Sequence, residues 1–287
     1  MNYRHAFHAG NVADVLKHVV LLAVIDHLQR KPTPWFALDS HAGRGSYRLS
    51  NPGKPSEADD GIRRLRQRPP SDPLLANYLA AVARHDRDTQ GADGEHYPGS
   101  PSLIADRLGP DDRLACCEIQ TEEADALSQR FARDRRVGVH RRDGYGAIKA
   151  LLPPRLGERR FARGLVLIDP PYETRDEEFD VALPALADGL RRWPQGVFML
   201  WYPIKLASTL TRQYRRMAAL PAASALRIEL CVRPADSPLR LNGSGLVVCN
   251  PPWGLDTALA TALPELATRL DQGKGNWRLD WLIAERT

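Results

Sequence analysis

Short apolar runs alternate with amphipathic stretches along most of this chain. The apolar runs are typical of buried strands and cover residues 35–39, 113–118, 137–140, 165–168, 197–201, 226–232 and 246–249. The amphipathic stretches have helical spacing and cover residues 11–30, 73–85, 122–134, 176–192 and 206–220. This alternation favours an α/β domain whose mainly parallel sheet is covered by helices on both faces. The last two strands leave no room for a helix between them, so we expect a late antiparallel hairpin.

Residues 51–97 interrupt the alternation. They are polar, rich in arginine and punctuated by prolines, with one strong helical run. We interpret them as an inserted helical subdomain within a domain formed by residues 1–50 and 98–287. Directly after the insertion, Ser100 followed by Pro101 predicts the start of a helix with Ser100 as its N-cap.

Composition narrows the class of protein. With 287 residues, of which 43% are hydrophobic, the chain can build one large α/β domain with an insertion, or two smaller domains. No apolar stretch approaches the ~20 residues of a membrane span, and the first residues lack an apolar signal region. The four cysteines show no CxxC or Cys/His ligand spacing. We therefore expect buried, reduced thiols in a cytoplasmic protein, with no metal and no membrane partner.

The charge distribution bears on the partner. The net charge is +5 and the isoelectric point is near 9.1, a modest excess that favours polyanions. Arginine is dense in residues 63–68, 133–142 and 155–163. Around one cleft these segments would bind phosphates, whereas apart they would form ordinary solvated surface. The sequence leaves both interpretations open.

The strongest chemical signal is the motif Asp169-Pro170-Pro171-Tyr172, which directly follows a predicted strand. It lies beyond the carboxyl end of that strand, where open α/β sheets bind ligands. Proline has no N–H and a fixed φ, so the loop offers carbonyls and one carboxylate as acceptors without competing donors. This suits a planar exocyclic amine with two N–H donors, and Tyr172 adds an aromatic face for stacking a base. A proline-rich turn without chemistry is the alternative.

A second motif of the same pattern, Asn250-Pro251-Pro252-Trp253, follows another apolar run. It lies near the end of the chain, beyond two further predicted strands. We interpret it as the end of a strand, where the prolines end the hydrogen-bonded pairing of the strand and Trp253 packs against the protein. Asp169 is therefore the candidate catalytic carboxylate.

A glycine loop at residues 39–45 follows the first strand and contains G-x-G without a third glycine, so a nicotinamide cofactor fits poorly. Glu118 ends the next strand, where a carboxylate can accept hydrogen bonds from ribose hydroxyls. Asp143-Gly144 follows the third strand, where a carboxylate can accept a hydrogen bond from the amine of an adenine. Each acid alone is also explained as a cap or a surface residue. In order with Asp169, they outline a pocket for S-adenosylmethionine.

Motifs along the whole chain resemble one family. They are Tyr3-Arg4-His5, Phe7-His8-Ala9-Gly10-Asn11, Ala13-Asp14-Val15-Leu16-Lys17-His18, Asp39-x-His41-Ala42-Gly43, Tyr97-Pro98-Gly99-Ser100-Pro101, Asp169-Pro170-Pro171-Tyr172 and Leu200-Trp201-Tyr202-Pro203. Together they resemble the bacterial RlmJ family, whose members methylate adenine N6 in 23S ribosomal RNA. The N-terminal motifs are the most specific part of the resemblance.

The resemblance implies a Rossmann-like class I S-adenosylmethionine-dependent methyltransferase fold with a helical insertion. It implies an enzyme that acts on 23S ribosomal RNA, for which we expect free or early-assembly RNA as the partner. The residues it implies for cofactor binding are His18, His41, Ser100, Glu118, Asp143, Gly144 and Asp169. It also implies Asp169 as the catalytic residue and Tyr3 as a contact of the RNA, and we expect Pro170 and Tyr172 at the adenine. From the residues alone, His18 is also explained as a core histidine and His41 as a turn cap.

Two other functions fit part of the pattern. A DNA adenine-N6 methyltransferase has the same motif chemistry, although the insertion is small for a base-reading domain, which favours RNA. A catalytically silent RNA-binding protein could keep the same fold. Cofactor binding with methyl transfer would exclude this second alternative.

Overall fold

An eight-stranded sheet forms the centre of the protein. The computed structural model describes residues 8–49, 56–89, 95–172, 175–237 and 241–284. In order across the sheet, the strands are β12 (Asn276–Ile283), β10 (Ala225–Cys231), β11 (Gly243–Cys249), β9 (Val197–Ile204), β8 (Gly164–Ile168), β1 (Phe36–Asp39), β4 (Arg113–Cys117) and β5 (Val137–His140). Two small ribbons pair β2 (Ser46–Arg48) with β3 (His96–Pro98), and β6 (Arg155–Leu156) with β7 (Arg159–Arg160).

The strand directions confirm the predicted fold class. Neighbouring strands from β5 through β4, β1 and β8 to β9 are parallel, whereas β11, β10 and β12 are each antiparallel to their neighbours. The predicted late hairpin is β10–β11. Strand β12 was not predicted, because it is a half-exposed edge strand. Trp277 and Trp281 alternate there with Arg278 and Asp280, so no apolar run marks it.

Helices cover both faces of the sheet. They are α1 (Val12–Gln29), α2 (Glu57–Asp60), α3 (Ile62–Arg66), α4 (Pro73–Asp88), α5 (Ser100–Ala105), α6 (Thr121–Phe131), α7 (Gly144–Leu151), α8 (Arg175–Arg192), α9 (Thr211–Ala218) and α10 (Leu255–Leu270). Side chains of α1, α5 and α10 form one buried cluster with one face of the sheet, and side chains of α7, α8 and α9 form a second cluster with the other face. The expected three-layer arrangement is confirmed. No helix among the described residues is long and apolar enough to cross a membrane.

Helix α1 begins where its capping residues predict. The Asn11 side chain accepts a hydrogen bond from the Asp14 backbone N–H at 2.9 Å, and the Asp14 carboxylate accepts one from the Gly10 N–H at 3.0 Å. The first of these bonds satisfies a backbone donor that the first turn leaves open, and the second ties the residue before the N-cap to the helix. The cap thereby fixes the start of the helix and with it the positions of Lys17 and His18, which are polar residues in an otherwise apolar, buried stretch.

Residues 56–88 contain α2, α3 and α4. Leu65 and Tyr78 of this region are fully buried in the same cluster as Leu16 of α1. The helices of the proposed insertion therefore share a core with the sheet. The assignment of residues 51–97 as a separate subdomain stays a prediction.

Candidate active site

A cavity of about 250 Å³ lies at the carboxyl edge of the parallel strands. Because β1, β4 and β8 run parallel, the residues that follow them meet at this edge, as expected for an open α/β sheet. The predicted site residues in the cavity wall are His18, His41, Ser100, Asp169, Pro170 and Tyr172. Predicted residues from four separate segments of the sequence thus converge on one cavity.

Asp169 forms an ion pair that was not predicted. Lys17 Nζ donates to Asp169 Oδ2 at 2.5 Å and to Asp14 Oδ1 at 2.7 Å. Burial lowers the pKa of Lys17, but the charges of Asp14 and Asp169 outweigh burial and raise that pKa well above its ordinary value. Burial likewise raises the pKa of Asp14, and Lys17 reverses this, so the Asp14 pKa is lowered overall. Lys17 therefore stays charged and holds the motif carboxylate against α1.

His18 is almost fully buried, and burial lowers its pKa to about 3. Its Nδ1 lies 2.7 Å from the Tyr97 hydroxyl. Its Nε2 is buried and has no hydrogen-bond partner among the residues described by the structure. Because His18 also lines the cavity, this nitrogen is free to bind a ligand.

Ser100 occupies the predicted place but does not cap the helix as predicted. Gly99 is the N-cap, and Ser100 is the first residue of α5. The Ser100 hydroxyl instead donates to Asp39 Oδ2 at 2.6 Å. Asp39 is fully buried, and this burial raises its pKa to about 7. Ser100 does not cap the helix because its hydroxyl donates to the buried Asp39 carboxyl group instead.

The glycine loop is tied to the end of β4. Gly43 and Gly45 have φ values of 59° and 79°, which glycine adopts without strain. The Glu118 carboxylate accepts the Gly43 N–H at 2.9 Å with one oxygen and the Gln120 N–H at 2.8 Å with the other. In the loop itself, Ser40 Oγ and His41 Nδ1 are 2.8 Å apart. Glu118 thus fixes the loop, and each of its oxygens keeps a further lone pair.

Asp143 and Gly144 lie beside the same loop, although neither they nor Glu118 line the cavity. Asp143 is the N-cap of α7 and accepts the Gly146 N–H at 2.6 Å. A Cβ at Gly144 would lie 2.0 Å from the Ser40 carbonyl oxygen, so only glycine fits there. Ile119, which follows Glu118, is 65% exposed. The exposed Ile119 and Asp143 and the buried Glu118 carboxylate therefore flank the glycine loop.

Tyr172 has a left-handed backbone, with φ at 46°. Its ring is 9% exposed and packs edge-on against Phe179 and Trp201. Most of the aromatic face that was expected to stack on a base is therefore covered in this conformation. Tyr3, the expected RNA contact, lies outside the described residues, and its role stays a prediction.

The second proline motif lies at the opposite edge of the sheet, because β11 runs antiparallel to β9. Asn250 donates to the Pro194 and Gly196 carbonyls, both at 3.0 Å, and accepts the Ala223 N–H at 3.0 Å. These bonds support its interpretation as a strand end. The expectation that Trp253 packs is wrong, since its side chain is 81% exposed. The prolines turn the chain directly into α10, which leaves Trp253 on the surface.

Not all of the arginine segments lie at the edge of the sheet that carries the cavity. The β6–β7 ribbon precedes the amino end of β8 and so lies at the edge opposite to Asp169. Its Arg155 and Arg160 are exposed. Arg63 and Arg66 instead pair with Glu95. The interpretation of all three segments as one phosphate-binding cleft is therefore wrong.

Sequence reasoning missed Lys17 and Asp39 as parts of this site. A lysine inside an apolar helical stripe was the available signal for Lys17, since burial of such a residue requires a partner. Asp39 gave a weaker signal, a carboxylate at the end of an apolar strand. No group of three or more potential metal ligands occurs in the part of the chain that the structure describes.

Known proteins of one family match this chain. A family model described as ribosomal RNA large subunit methyltransferase D, RlmJ, matches residues 32–283. The ribosomal RNA large subunit methyltransferase J of Haemophilus influenzae is 37% identical over 288 residues, which cover 99% of this chain and 100% of that protein. The protein of the same name from Escherichia coli strain K12 is 35% identical with the same coverage.

A solved structure agrees with these matches. The crystal structure of LPL1258 from Legionella pneumophila superposes with a TM-score of 0.83 at 30% identity, covering 95% of this chain and 98% of that one. The fold therefore extends over nearly the whole length of both chains. On this evidence, the chain belongs to the RlmJ family of ribosomal RNA large subunit methyltransferases.

Proposed function

We propose that this protein transfers the methyl group of S-adenosylmethionine to the N6 amine of a specific adenine in 23S ribosomal RNA. The observation that carries the proposal is the position of Asp169. Its carboxylate lines the same cavity as His18 and His41. An acceptor for an amine thus lies beside the residues proposed for the cofactor.

The residues around the cavity suit S-adenosylmethionine. The unpartnered Nε2 of His18 supplies a polar contact in the wall, and Gly144 allows close approach to the loop. Ile119 offers an apolar face for the cofactor's adenine next to the Glu118 carboxylate. We assign the methionine end to His18, His41, Ser100 and Asp169, the ribose to Glu118, and the adenine to Asp143 and Gly144. When bound, the cofactor supplies an electrophilic methyl group on a sulfonium.

Asp169 and Pro170 hold the target amine in this proposal. Lys17 engages Oδ2 of Asp169, and no described residue engages Oδ1, which is available to accept one N6–H. The Pro170 carbonyl accepts the other. The lone pair of the adenine amine is delocalised into the ring, and two acceptors favour a tetrahedral nitrogen whose lone pair points at the methyl group. Positioning of this kind can contribute ~7–11 kcal/mol.

Asp169 also handles the charge that develops. As the nitrogen–carbon bond forms and the carbon–sulfur bond breaks, the nitrogen becomes cationic, and the carboxylate stabilises it electrostatically. Asp169 then accepts the proton that the nitrogen releases. Lys17 fixes the orientation of the carboxylate throughout.

The target adenine must leave its stack to reach Asp169. RNA that is not yet packed into a particle opens at a lower cost, so we propose free or early-assembly ribosomal RNA as the substrate. We place the reaction in the cytoplasm, consistent with four unpaired, buried cysteines. Contacts of the base with Tyr172 and of the RNA with Tyr3 remain part of the proposal.

The test is a methylation assay with S-adenosylmethionine labelled in its methyl group. Deproteinised 23S RNA, assembled large subunits and duplex DNA are offered separately, and the labelled nucleoside is identified after hydrolysis. The proposal predicts N6-methyladenosine at one position of the free RNA. Label in DNA alone would contradict it in favour of a DNA methyltransferase. Cofactor binding without transfer to any nucleic acid would contradict catalysis altogether.

A further inference from the structure

Three buried rings form a hydrogen-bonded chain behind the cavity. The hydroxyl oxygens of Tyr78 on α4 and Tyr97 on β3 are 2.9 Å apart, and the Tyr97 hydroxyl lies 2.7 Å from Nδ1 of His18 on α1. Both tyrosines are 0% exposed and His18 is 1% exposed. On the other side of the imidazole, Nε2 has no partner within the described parts of the chain. The hydrogen-bonded chain therefore ends at a nitrogen in the cavity wall.

The protons on the polar atoms of these three side chains can be counted. Burial lowers the pKa of His18 to about 3 and raises the pKa values of Tyr78 and Tyr97, so the imidazole is neutral and both hydroxyls are protonated near pH 7. The three groups hold two O–H protons and one ring N–H. The position of the ring proton decides the direction of both hydrogen bonds.

One arrangement satisfies more of the buried groups. With the proton on Nε2, Tyr78 donates to Tyr97 and Tyr97 donates to Nδ1 of His18, so both hydroxyl protons are used. With the proton on Nδ1, the direction reverses, and the Tyr78 proton is left unpaired in the interior. Nε2 lacks a protein partner among the described residues in both arrangements. Unpaired buried polar groups are costly, so the first arrangement is favoured.

We propose that Tyr97, supported by Tyr78, is a positioning residue that fixes His18 as its Nε2–H tautomer, so that Nε2 donates a hydrogen bond to the carboxylate of bound S-adenosylmethionine. The inference rests on the proposed function, in which His18 contacts the methionine end of the cofactor. A bare Nε2 would direct a lone pair at the anion and repel it. The neighbouring cation, Lys17, is held by Asp14 and Asp169, so we assign His18 rather than Lys17 as a donor for this carboxylate.

The chain of rings also links two parts of the molecule. Tyr78 belongs to a helix of the proposed insertion, whereas His18 belongs to the first helix of the sheet domain. Cofactor affinity therefore depends on a hydroxyl in the insertion that does not line the cavity.

The tautomer is tested directly by ¹⁵N NMR of the wild-type protein through the two-bond couplings of the His18 ring. We expect Nδ1 to be the unprotonated nitrogen and Nε2 to carry the proton. A protonated Nδ1 would overturn the inference. This measurement needs no variant.

Binding measurements test the consequence. S-adenosylhomocysteine carries the carboxylate, whereas 5′-methylthioadenosine lacks the whole amino-acid end. Tyr97→Phe is expected to weaken binding of S-adenosylhomocysteine about tenfold, as for loss of one hydrogen bond to a charged group. It is expected to leave binding of 5′-methylthioadenosine unchanged. Tyr78→Phe should show a smaller loss with the same selectivity, because Tyr97 can still donate to His18.

Tyr202→Phe is the matched control, because it removes a buried tyrosine hydroxyl bonded to Glu229 in the other core cluster. It should lower the melting temperature without changing the ratio of the two affinities. Equal weakening of both ligands by Tyr97→Phe, or no weakening of either, would overturn the positioning role. If the wild-type protein bound neither ligand, the proposed function itself would fail. If Tyr97→Phe does not fold, the NMR result and Tyr78→Phe decide the matter.

Discussion

Lys17 Nζ lies 2.5 Å from Asp169 Oδ2, although 152 positions separate the two residues in the sequence. Lys17 also donates to Asp14, whose carboxylate accepts the Gly10 N–H before the first turn of α1. The orientation of the motif carboxylate is therefore coupled to the start of the first helix. Both side chains of the Lys17–Asp169 pair are at most 15% exposed, so solvent screens the pair only weakly.

Removal of this ammonium should be costly. Lys17→Met leaves two buried carboxylates without a cation and is expected to lower the free energy of unfolding by roughly 3–5 kcal/mol. Urea unfolding measures the loss. The double variant Lys17→Met/Asp169→Asn should recover part of it, because one of the uncompensated charges is gone.

The matched control is Arg192→Met, which breaks a more exposed ion pair with Asp188 and should cost less than about 1 kcal/mol. If Lys17→Met proved as stable as Arg192→Met, the ion pair would have no structural role.

Asp39 should make stability depend on pH. Its pKa in the folded protein is about 7, against an ordinary value of 3.8, because burial disfavours the charged form. The folded state therefore binds this proton more tightly than the unfolded state, and stability falls as pH rises from 3.8 to about 7.

Asp39→Asn removes the ionisable group, so the variant does not lose stability in this way as the pH rises. Between pH 5 and pH 7, the variant should gain roughly 2–3 kcal/mol of unfolding free energy relative to wild type. Chemical denaturation of the cofactor-free proteins at both pH values measures the gain. A difference that does not change with pH would show that Asp39 titrates normally.

Local signals predicted the fold and much of the site. The strand before Asp169 and the strand that ends in Glu118 are apolar runs, and parallel strands bring their carboxyl ends together. Lys17 and Tyr97 escaped prediction because their roles depend on partners far away in the sequence. Ser100 shows the same limit, since its neighbours match a helix cap but a buried Asp39 takes its hydroxyl.

The second proline motif should matter for folding alone. Asn250→Ala removes three hydrogen bonds at a position with φ of 52° and is expected to cost roughly 1–3 kcal/mol. The folded fraction should methylate RNA normally. Asn250→Gly tolerates the backbone conformation and so isolates the side-chain contribution. A stable Asn250→Ala protein without activity would mean that the wrong motif was assigned to catalysis.

Tyr172 separates packing from hydrogen bonding. Its hydroxyl is buried without a partner among the residues described, so Tyr172→Phe should be at least as stable as wild type and retain activity. Tyr172→Ala removes a ring that packs on Phe179 and Trp201 and should cost roughly 3–5 kcal/mol. Thermal unfolding of both variants, with methyl transfer measured in parallel, distinguishes them. Loss of activity in Tyr172→Phe would instead give the hydroxyl a role in catalysis.

The most direct test of the central claim is the rate of methyl transfer to 23S RNA by Asp169→Ala, measured alongside its affinity for S-adenosylhomocysteine. If Asp169 holds and stabilises the reacting amine, transfer should fall at least about a hundredfold. Calorimetric titration should find an affinity within a few-fold of the wild-type value, because the proposed contacts of His18, Glu118 and Asp143 remain when the Asp169 contact to the methionine end is lost. An Asp169→Ala enzyme with wild-type transfer would contradict the catalytic assignment.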